Sequence, residues 1–595
     1  MSTAVSLPVP ASVPAAPPVV AEEVAARLLR RTAGDTGRSA VRRTTDWAGP
    51  VAEALDGEGA VQAACGIMHV HGRAGGGPLP LAVEYAATAA GVLAAQGATA
   101  VLLARHRGLE LREVRTSAAQ GALLAVCQYL AEATAPPDES ARPRPSGAVA
   151  GGATLVSAEG AAFEVETLDP EAWRVFWARL GVAARVAGRG WAPFQQRFAT
   201  AVCPLPDALR DAARATPLAA LRTAAAAGGV SLVELSDDPA PAGLPEPVRL
   251  TPGPGGGHVP GPGGPRVPDP GGGPLFPGAL PLAGLRVVEC TRRVQGPLAG
   301  HVLRLLGAEV VRVEPPGGDP MRGLAPLAGG CSARYAALNA GKPVVEADPR
   351  TPAGRAAVRE LVAGADAFVH NWAPGRDARL GLDAEGLWRV RPDLVHASAS
   401  GFGDAYPAGR APIGTDYLAQ VRGGLAAALR PAGEPPAPSL MTLTDVLGGL
   451  VCAQAVVAGL LRRARTGCGV RAETSLLSAA ALVPRPAVRR PGWSPLELPL
   501  RTADGRLYLG ERARADVSAL ARIAGVPHAG PEAVAARFGR RTGREWRDRL
   551  RSAGLDATEV RTDLAALPAD PAFRHAVAPA PPGGCATVRA PWTFA

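Results

Sequence analysis

Few side chains in this chain have a type and spacing that suggest chemistry. Eight cysteines, at 65, 127, 203, 290, 331, 452, 468 and 585, form no C-x-x-C pair, so neither a zinc cluster nor a disulfide framework is expected. His69 and His71 make an H-x-H on a stretch read as a strand, with no third ligand in sight, and no metal is expected there. Lys342 is the single lysine of a chain that otherwise uses arginine. Its retention suggests a place that needs a compact ammonium. Asp445, in MTLTDVLGGL, heads a long apolar segment. By residue type alone it is a helix cap, with Thr442 or Thr444 as companion caps, and a helix N-terminus favours an ionised carboxylate.

The elements that would position these groups are legible after residue 280. LRVVEC (285–290), EVVRVEP (309–315), DAFVHN (366–371) and DLVHASASGFG (393–403) are short apolar runs, suited to buried parallel strands. GHVLRLLGA (300–308) and VRELVAGA (358–365) have helical spacing between them. Strands alternating with helices predict a doubly wound α/β sheet. Ligands then bind at the carboxyl ends of the strands, which makes Thr291–Pro297 and Asn371–Gly375 the site loops. No G-x-G-x-x-G follows the first strand, so the dinucleotide fingerprint is absent. RTADGRLYLG (501–510) reads as a hairpin opening a smaller α+β domain.

The chain also repeats itself. EGAVQAACGI (58–67) lies over DYLAQVRGGL (416–425), and LLARHRGLELREVRTS (102–117) over LLRRARTGCGVRAETS (460–475), at one constant offset of 358 residues. LVSAEGAAFEV (155–165) similarly resembles LRTADGRLYLG (500–510). The N-terminal copy shows no counterpart of the segment 285–400.

With 595 residues, 47% of them hydrophobic and 19% charged, the chain is expected to form several packed domains. The net charge of +10 is spread along the sequence as isolated arginines. Without basic runs or interleaved aromatics, no nucleic-acid partner is expected. Thr88–Ala104 and Val446–Leu461 are apolar, but short for a span and interrupted by Gln96 and Gln454. They read as buried helices, not as membrane segments. No leader peptide is recognised, and a cytoplasmic protein is expected.

Read in order, LAGLRVVECTRRVQGPLAGHVLRLLGAEVVRVEPPGGDPMRG, LNAGKPVVEADPRTPAGR, HNWAPGRDARLGL, SASGFG, TDYLAQVRGGL, TDVLGGL, RTGCGV and TSLL resemble the class III CoA-transferases. The match covers 282–480 closely and 495–595 more loosely. The resemblance implies transfer of coenzyme A between carboxylic acids, with acyl-CoA as substrate and no permanently bound cofactor. It places the family's catalytic aspartate at Asp445, where Gly448 and Gly449 would leave room for the thioester. It places coenzyme A contacts at Val294, Gln295, Asp348, Arg350, Asn371, Trp372, Ala373 and Arg379, and positions near the thioester at Thr415 and Asp416. Two departures stand out: Gln295 lies one place later than in a close relative, and Pro315 stands where some transferases carry an arginine. Because family members are intertwined homodimers, the resemblance implies either a homodimer or an intramolecular pseudo-dimer.

The implied fold is a Rossmann-like large domain with a smaller α+β domain, preceded by a partial copy of the same fold. Its expected division is a disordered tail (1–21), the degenerate copy (22–237), a Gly/Pro-rich linker (238–280), the large coenzyme A domain (281–494), the small domain (495–575) and a returning C-terminal segment (576–595). Two other functions compete. Racemisation at the α-carbon of an acyl-CoA needs a second base, and relatives with that activity carry a histidine where this chain has Thr415. A decayed, non-catalytic coenzyme A binding protein would explain the departures. In the N-terminal copy the nucleophile's position falls on Ala87, so that copy is expected to be catalytically silent and to serve packing.

Overall fold

The computed structural model describes residues 16–32, 41–137, 151–253, 278–407 and 409–595. Chain order in the N-terminal half runs α1 (Val19–Thr32), β1 (Arg42–Asp46), α2 (Glu58–Ala64), α3 (Tyr85–His106), β2 (Glu113–Ser117) and α4 (Ala118–Thr134). A small domain follows, with β3 (Leu155–Val156), β4 (Ala162–Glu166), α5 (Ala184–Thr200) and β5 (Ser231–Glu234). Next comes β6 (Arg249–Pro252).

The C-terminal half opens with β7 (Arg286–Cys290), α6 (Gln295–Leu305), β8 (Glu309–Glu314), β9 (Val344–Glu346), β10 (Ala367–His370) and β11 (Val395–Ser400). It continues with α7 (Asp416–Arg422), α8 (Leu443–Thr466) and β12 (Val470–Ser475). Its small domain holds the predicted hairpin, β13 (Leu500–Arg501) and β14 (Arg506–Leu509), with β15 (Ala557–Glu559), and the chain closes on β16 (Thr593–Phe594).

The main sheet has seven strands in the order β9-β8-β7-β10-β11-β12-β6. All neighbours are parallel except β6 on β12. The four expected strands are present, in the doubly wound arrangement. Strand order reverses between β7 and β10, the switch point where such sheets take ligands. The loops leaving those two strands are the two that the sequence marks out.

The two halves are built alike. α3 and α8 pack against each other at the centre. Both are long and apolar enough to cross a membrane, yet 94% of the most apolar stretch of each is buried inside the protein. Their glutamines bridge the pair: Gln96 donates to the Leu450 carbonyl, while Gln454 donates to Thr32 and Thr99 at 3.1 Å. The Tyr85 hydroxyl, at the head of α3, reaches the Leu443 carbonyl at the head of α8. α1 stands to α3 as α6 stands to α8. A Cβ on Gly91 would lie 2.6 Å from the Ala21 carbonyl, and one on Gly449 would lie 2.7 Å from the Gln295 carbonyl. Neither helix pair could approach so closely with a larger residue. β1 pairs in parallel with β2 as β11 pairs with β12. The N-terminal copy therefore keeps one helix and one strand of the segment that its sequence appeared to lack entirely.

The halves are also interlaced. β6, which follows the N-terminal small domain, completes the sheet of the C-terminal half. β16, at the chain's end, pairs antiparallel with β2 in the N-terminal half. Two expected boundaries shift accordingly. Residues 249–252 are a sheet strand and not linker; the rest of the Gly/Pro run, 254–277, lies outside the described residues, as does the tail up to residue 15. The first helix begins at Val19, inside the stretch read as tail. His69 and His71 lie on a helix, Ile67–Gly72, and not on a strand. Two residues apart on a helix, they face different ways: His71 meets Ser439 at 2.8 Å and His69 meets Arg73 at 3.3 Å.

Candidate active site

Asp416, the first residue of α7, and Asp445, in the first turn of α8, come together at the centre of the molecule. Asp416 is buried, and its carboxylate is heavily used. Oδ1 accepts from the Asp445 backbone amide at 2.7 Å and from Thr444 Oγ1 at 2.7 Å; Oδ2 accepts from Gln420 at 2.5 Å. The start of α8 is thus capped by a carboxylate from another helix. Thr442, at the N-cap position, makes no capping bond, and Thr444 bonds Asp416 instead. The local capping expected from the sequence is replaced by a tertiary one.

The Asp445 carboxylate is half-buried and makes no side-chain hydrogen bond among the described residues. Burial raises its pKa well above the ordinary carboxylate range. The Asp416 charge raises it further, Arg293 opposes the rise, and Glu166 adds to it. Burial raises Asp416 too, against the pull of its hydrogen bonds. Of two carboxylates this close, the one holding the amides keeps its charge and the other is the harder to ionise.

Gly448 and Gly449 do not leave space for a ligand. A Cβ on Gly448 would lie 2.8 Å from Gln295 Nε2, so the two glycines admit the N-terminus of α6. Gln295 itself is buried and reaches the Ser400 carbonyl at 3.5 Å. Val294, also buried, is the residue before α6. Thr415 precedes α7, and its Oγ1 is buried without a hydrogen-bond partner among the described residues.

The remaining expected contacts sit on the carboxyl edge of the sheet. Asn371 grips the Arg292 main chain from both sides, accepting from its amide at 2.9 Å and donating to its carbonyl at 2.8 Å. One switch-point loop is thereby tied to the other. Trp372 is half-buried, its ring 4.8 Å from that of His370; Ala373 is exposed. Arg379 is exposed on the short helix Arg376–Leu380. Asp348 and Arg350 form an exposed ion pair at 2.9 Å after β9. The positive charge of Arg292 also acts on Asp348. His370, Asp377 and His396 bring ligand atoms within 4.8 Å of one another. That is wider than the spacing of about 3.3 Å implied by tetrahedral bonds of about 2.0–2.1 Å, and His396 Nε2 is already engaged by the Leu382 carbonyl.

Lys342 has a structural use. It is buried, and its three protons go to Glu289 at 2.8 Å, the Pro297 carbonyl at 2.8 Å and Asn339 at 3.0 Å. Three separate acceptors suit an ammonium better than a planar guanidinium. By holding Pro297, in the first turn of α6, to Glu289 on β7, Lys342 fixes the turn that carries Val294 and Gln295. Arg312 lies beneath, fully buried, bonded to Glu289, Glu314 and Asp319.

Sequence reasoning missed two groups of residues. Arg293, between β7 and α6, has a positive φ of 67° and is exposed, with its charge felt at Asp445. A non-glycine residue in this conformation is strained, and such strain clusters at functional sites. The second group comes from the N-terminal half. Its small domain packs on α7 through β4 and β5. There Glu166 and Arg197 form a buried ion pair at 2.8 Å, and the Arg197 guanidinium lies 4.7 Å from the ring of Tyr417. Ser231, on β5, accepts from the Ile413 amide at 2.9 Å. The N-terminal copy is thus a wall of the site and not packing alone. No local signal reveals this, because the partners lie in the other half.

The sequence profile of CoA-transferase family III matches residues 45–237 and again residues 282–579. The succinate–glutarate CoA-transferase of Agrobacterium fabrum is 35% identical over 255 residues, 38% of this chain and 62% of that protein. The succinyl-CoA:glutarate CoA-transferase of Mus musculus is 35% identical over 201 residues, 33% of this chain and 46% of that protein. The acetyl-CoA:oxalate CoA-transferase of Acetobacter aceti is 32% identical over 197 residues, 33% of this chain and 51% of that protein. The matched region therefore spans 46% to 62% of these relatives' length. Among solved structures, a CAIB/BAIF family protein from Brucella suis is similar at 28% identity and a TM-score of 0.48, covering 53% of this chain and 92% of that one.

Proposed function

Because the chain belongs to CoA-transferase family III, we propose that it moves coenzyme A from an acyl-CoA thioester to a carboxylic acid through a covalent intermediate on Asp445. The observation that supports this most is the contrast within the carboxyl pair. Asp416 spends its oxygens on the start of α8 and on Gln420, whereas Asp445 makes no side-chain hydrogen bond among the described residues. The free carboxylate attacks the thioester carbonyl, giving a mixed anhydride and coenzyme A thiolate. The thiolate returns to the Asp445 carbonyl, releasing the donor acid and leaving an aspartyl thioester. The acceptor carboxylate attacks that thioester, and the thiolate then takes the acceptor's acyl group, freeing Asp445.

Asp416 acts as a positioning residue. Arg293, beside Asp445, offsets negative charge where acids meet. The exposed arginines Arg292, Arg350 and Arg379, with Asn371 and Trp372, supply the edge that receives the nucleotide. Racemisation lacks a second base: the residue before Asp416 is Thr415, whose hydroxyl does not titrate near neutral pH. Intact-mass analysis of the whole chain incubated with succinyl-CoA tests the reading. An adduct present in the wild type and missing in Asp445→Ala is expected. An adduct that survives Asp445→Ala, or turnover of that variant within tenfold of wild type, overturns it.

A further inference from the structure

The N-terminal half carries its own version of the site. Glu58, at the start of α2, corresponds to Asp416, and β14 and β15 of the C-terminal small domain pack on α2 as β4 and β5 pack on α7. Between them lies a cavity of about 330 Å³, lined among others by Glu58, Arg485, Arg490, Trp493, Tyr508 and Arg514. Arg490 is already engaged, bonded to Glu497 at 2.7 Å and stacked 3.7 Å over Trp493. Arg485 and Arg514 form no ion pair among the described residues. Arg514 lies 5.2 Å from the Tyr508 ring centroid, and its Nε is buried without a hydrogen-bond partner. Arg485 gives one N–H to the Gly423 carbonyl.

We propose that this cavity is a second ligand site, which binds a small carboxylate without coenzyme A and carries out no chemistry on it. Two guanidiniums without an ion pair among the described residues, in a concave, partly apolar pocket, are the recognition chemistry of a carboxylate. Burial and the like charge of Arg27 push the Arg485 pKa down to about 10, against the pull of Asp238, and three acids, Glu58, Glu84 and Glu497, line the cavity beside its three arginines. Of these acids, Glu497 is paired with Arg490, and Glu58 is taken up by the Ala86 and Ala87 amides and by Gln62. A nucleotide is not expected, because the described residues of the N-terminal half show no counterpart of the β7 and β10 loops. Chemistry is excluded because Ala87 stands where Asp445 stands.

The test is calorimetric titration of the full chain with succinate, without acyl-CoA, at low salt. The wild type should show saturable binding that Asp445→Ala retains and that Arg514→Ala weakens at least tenfold. Arg514→Lys should fall between them, and Ala82→Trp, which fills the cavity from another wall, should abolish binding. Transfer activity of Arg514→Ala should equal the wild type, which separates this site from the one at Asp445. Undiminished binding in both Arg514→Ala and Ala82→Trp, no saturable binding by the wild type, or equally tight binding of sulfate would overturn the carboxylate site.

Discussion

The heads of α3 and α8 are built on the same hydrogen-bonded device. In the C-terminal half, Gln420 donates to Asp416, accepts from the Ser439 amide and donates to the Ser439 carbonyl, while Asp416 takes the Asp445 amide. In the N-terminal half, Gln62 donates to Glu58, accepts from the Leu81 amide and donates to the Leu81 carbonyl, while Glu58 takes the Ala86 and Ala87 amides. The device survives where no reacting side chain remains. It is therefore architecture: a buried acid that caps a central helix. What is added to it in one half only is a carboxylate at position 445 with no side-chain hydrogen bond among the described residues, Arg293 beside it and two strand-end loops, to which the proposed function gives the chemistry and the nucleotide.

The largest expected effect comes from exchanging that difference. Asp445→Ala should lower kcat by at least ~10³, the scale on which loss of a nucleophile acts, with little loss of stability because the cap on α8 is Asp416. Adding Ala87→Asp to that variant should restore nothing, since the described residues of the N-terminal half show no loops to present a thioester. Steady-state kinetics of the single and double variants decide this, and recovered turnover in the double variant would break the comparison.

Next in size is the dependence of one half on the other. Residues 278–595 alone lose α3 from the face of α8, the strand β6 from the sheet edge and the Glu166–Arg197 wall. Each large aliphatic side chain exposed on that face costs about 1.5–3 kcal/mol, so the fragment should be insoluble or self-associate through that face. Size-exclusion chromatography with light scattering checks this. A stable, fully active monomer would show that the N-terminal half is an appendage.

The repeat was legible because this device needs particular residues at fixed places: Gln62 and Gln420, Gln96 and Gln454, Ser117 and Ser475 recur at one offset. The parallel strands were legible because β7, β8, β10 and β11 are continuous apolar runs. Other features depended on partners far along the chain. Lys342 was legible as a place for an ammonium, but the groups it holds, Glu289, Pro297 and Asn339, were not. Gly448 and Gly449 looked like ligand space and proved to be the contact with α6. β6 and β16 are short, polar edge strands whose pairing is fixed by the other half. Only the first residues of α1, 19–21, fell in the stretch read as tail, and its likeness to α6 went unread because it lies in packing more than in residues.

A smaller effect separates capping from chemistry. Asp416→Asn, at a buried site, and Glu58→Gln, at a half-buried one, each replace an acceptor that holds helix amides, so each should cost about 1–3 kcal/mol of stability by chemical denaturation, the second toward the lower end. Only Asp416→Asn should alter catalysis. It removes the like charge that raises the Asp445 pKa, so the acid limb of kcat/KM should move to lower pH. A moved limb in Glu58→Gln, or an unmoved one in Asp416→Asn, would contradict the assignment of Asp416 as both cap and electrostatic neighbour.

The smallest expected effect is at Arg293, where charge and backbone strain can be separated. In the proposed mechanism the nucleophile is the ionised form of Asp445, and Arg293 favours that form. Arg293→Ala removes the cation, so ionisation should require a higher pH and the acid limb of kcat/KM should rise. The sign is opposite to that of Asp416→Asn. Because Arg293 is exposed, its influence should shrink as salt is raised, and well above the limb the variant should recover the wild-type rate. Arg293→Gly should move the limb in the same direction while relieving the positive φ of 67°, a gain on the order of 1 kcal/mol. Arg293→Lys should restore the limb and keep the strain. A pH profile that follows stability across these three variants, and not charge, would remove Arg293 from the electrostatics of Asp445.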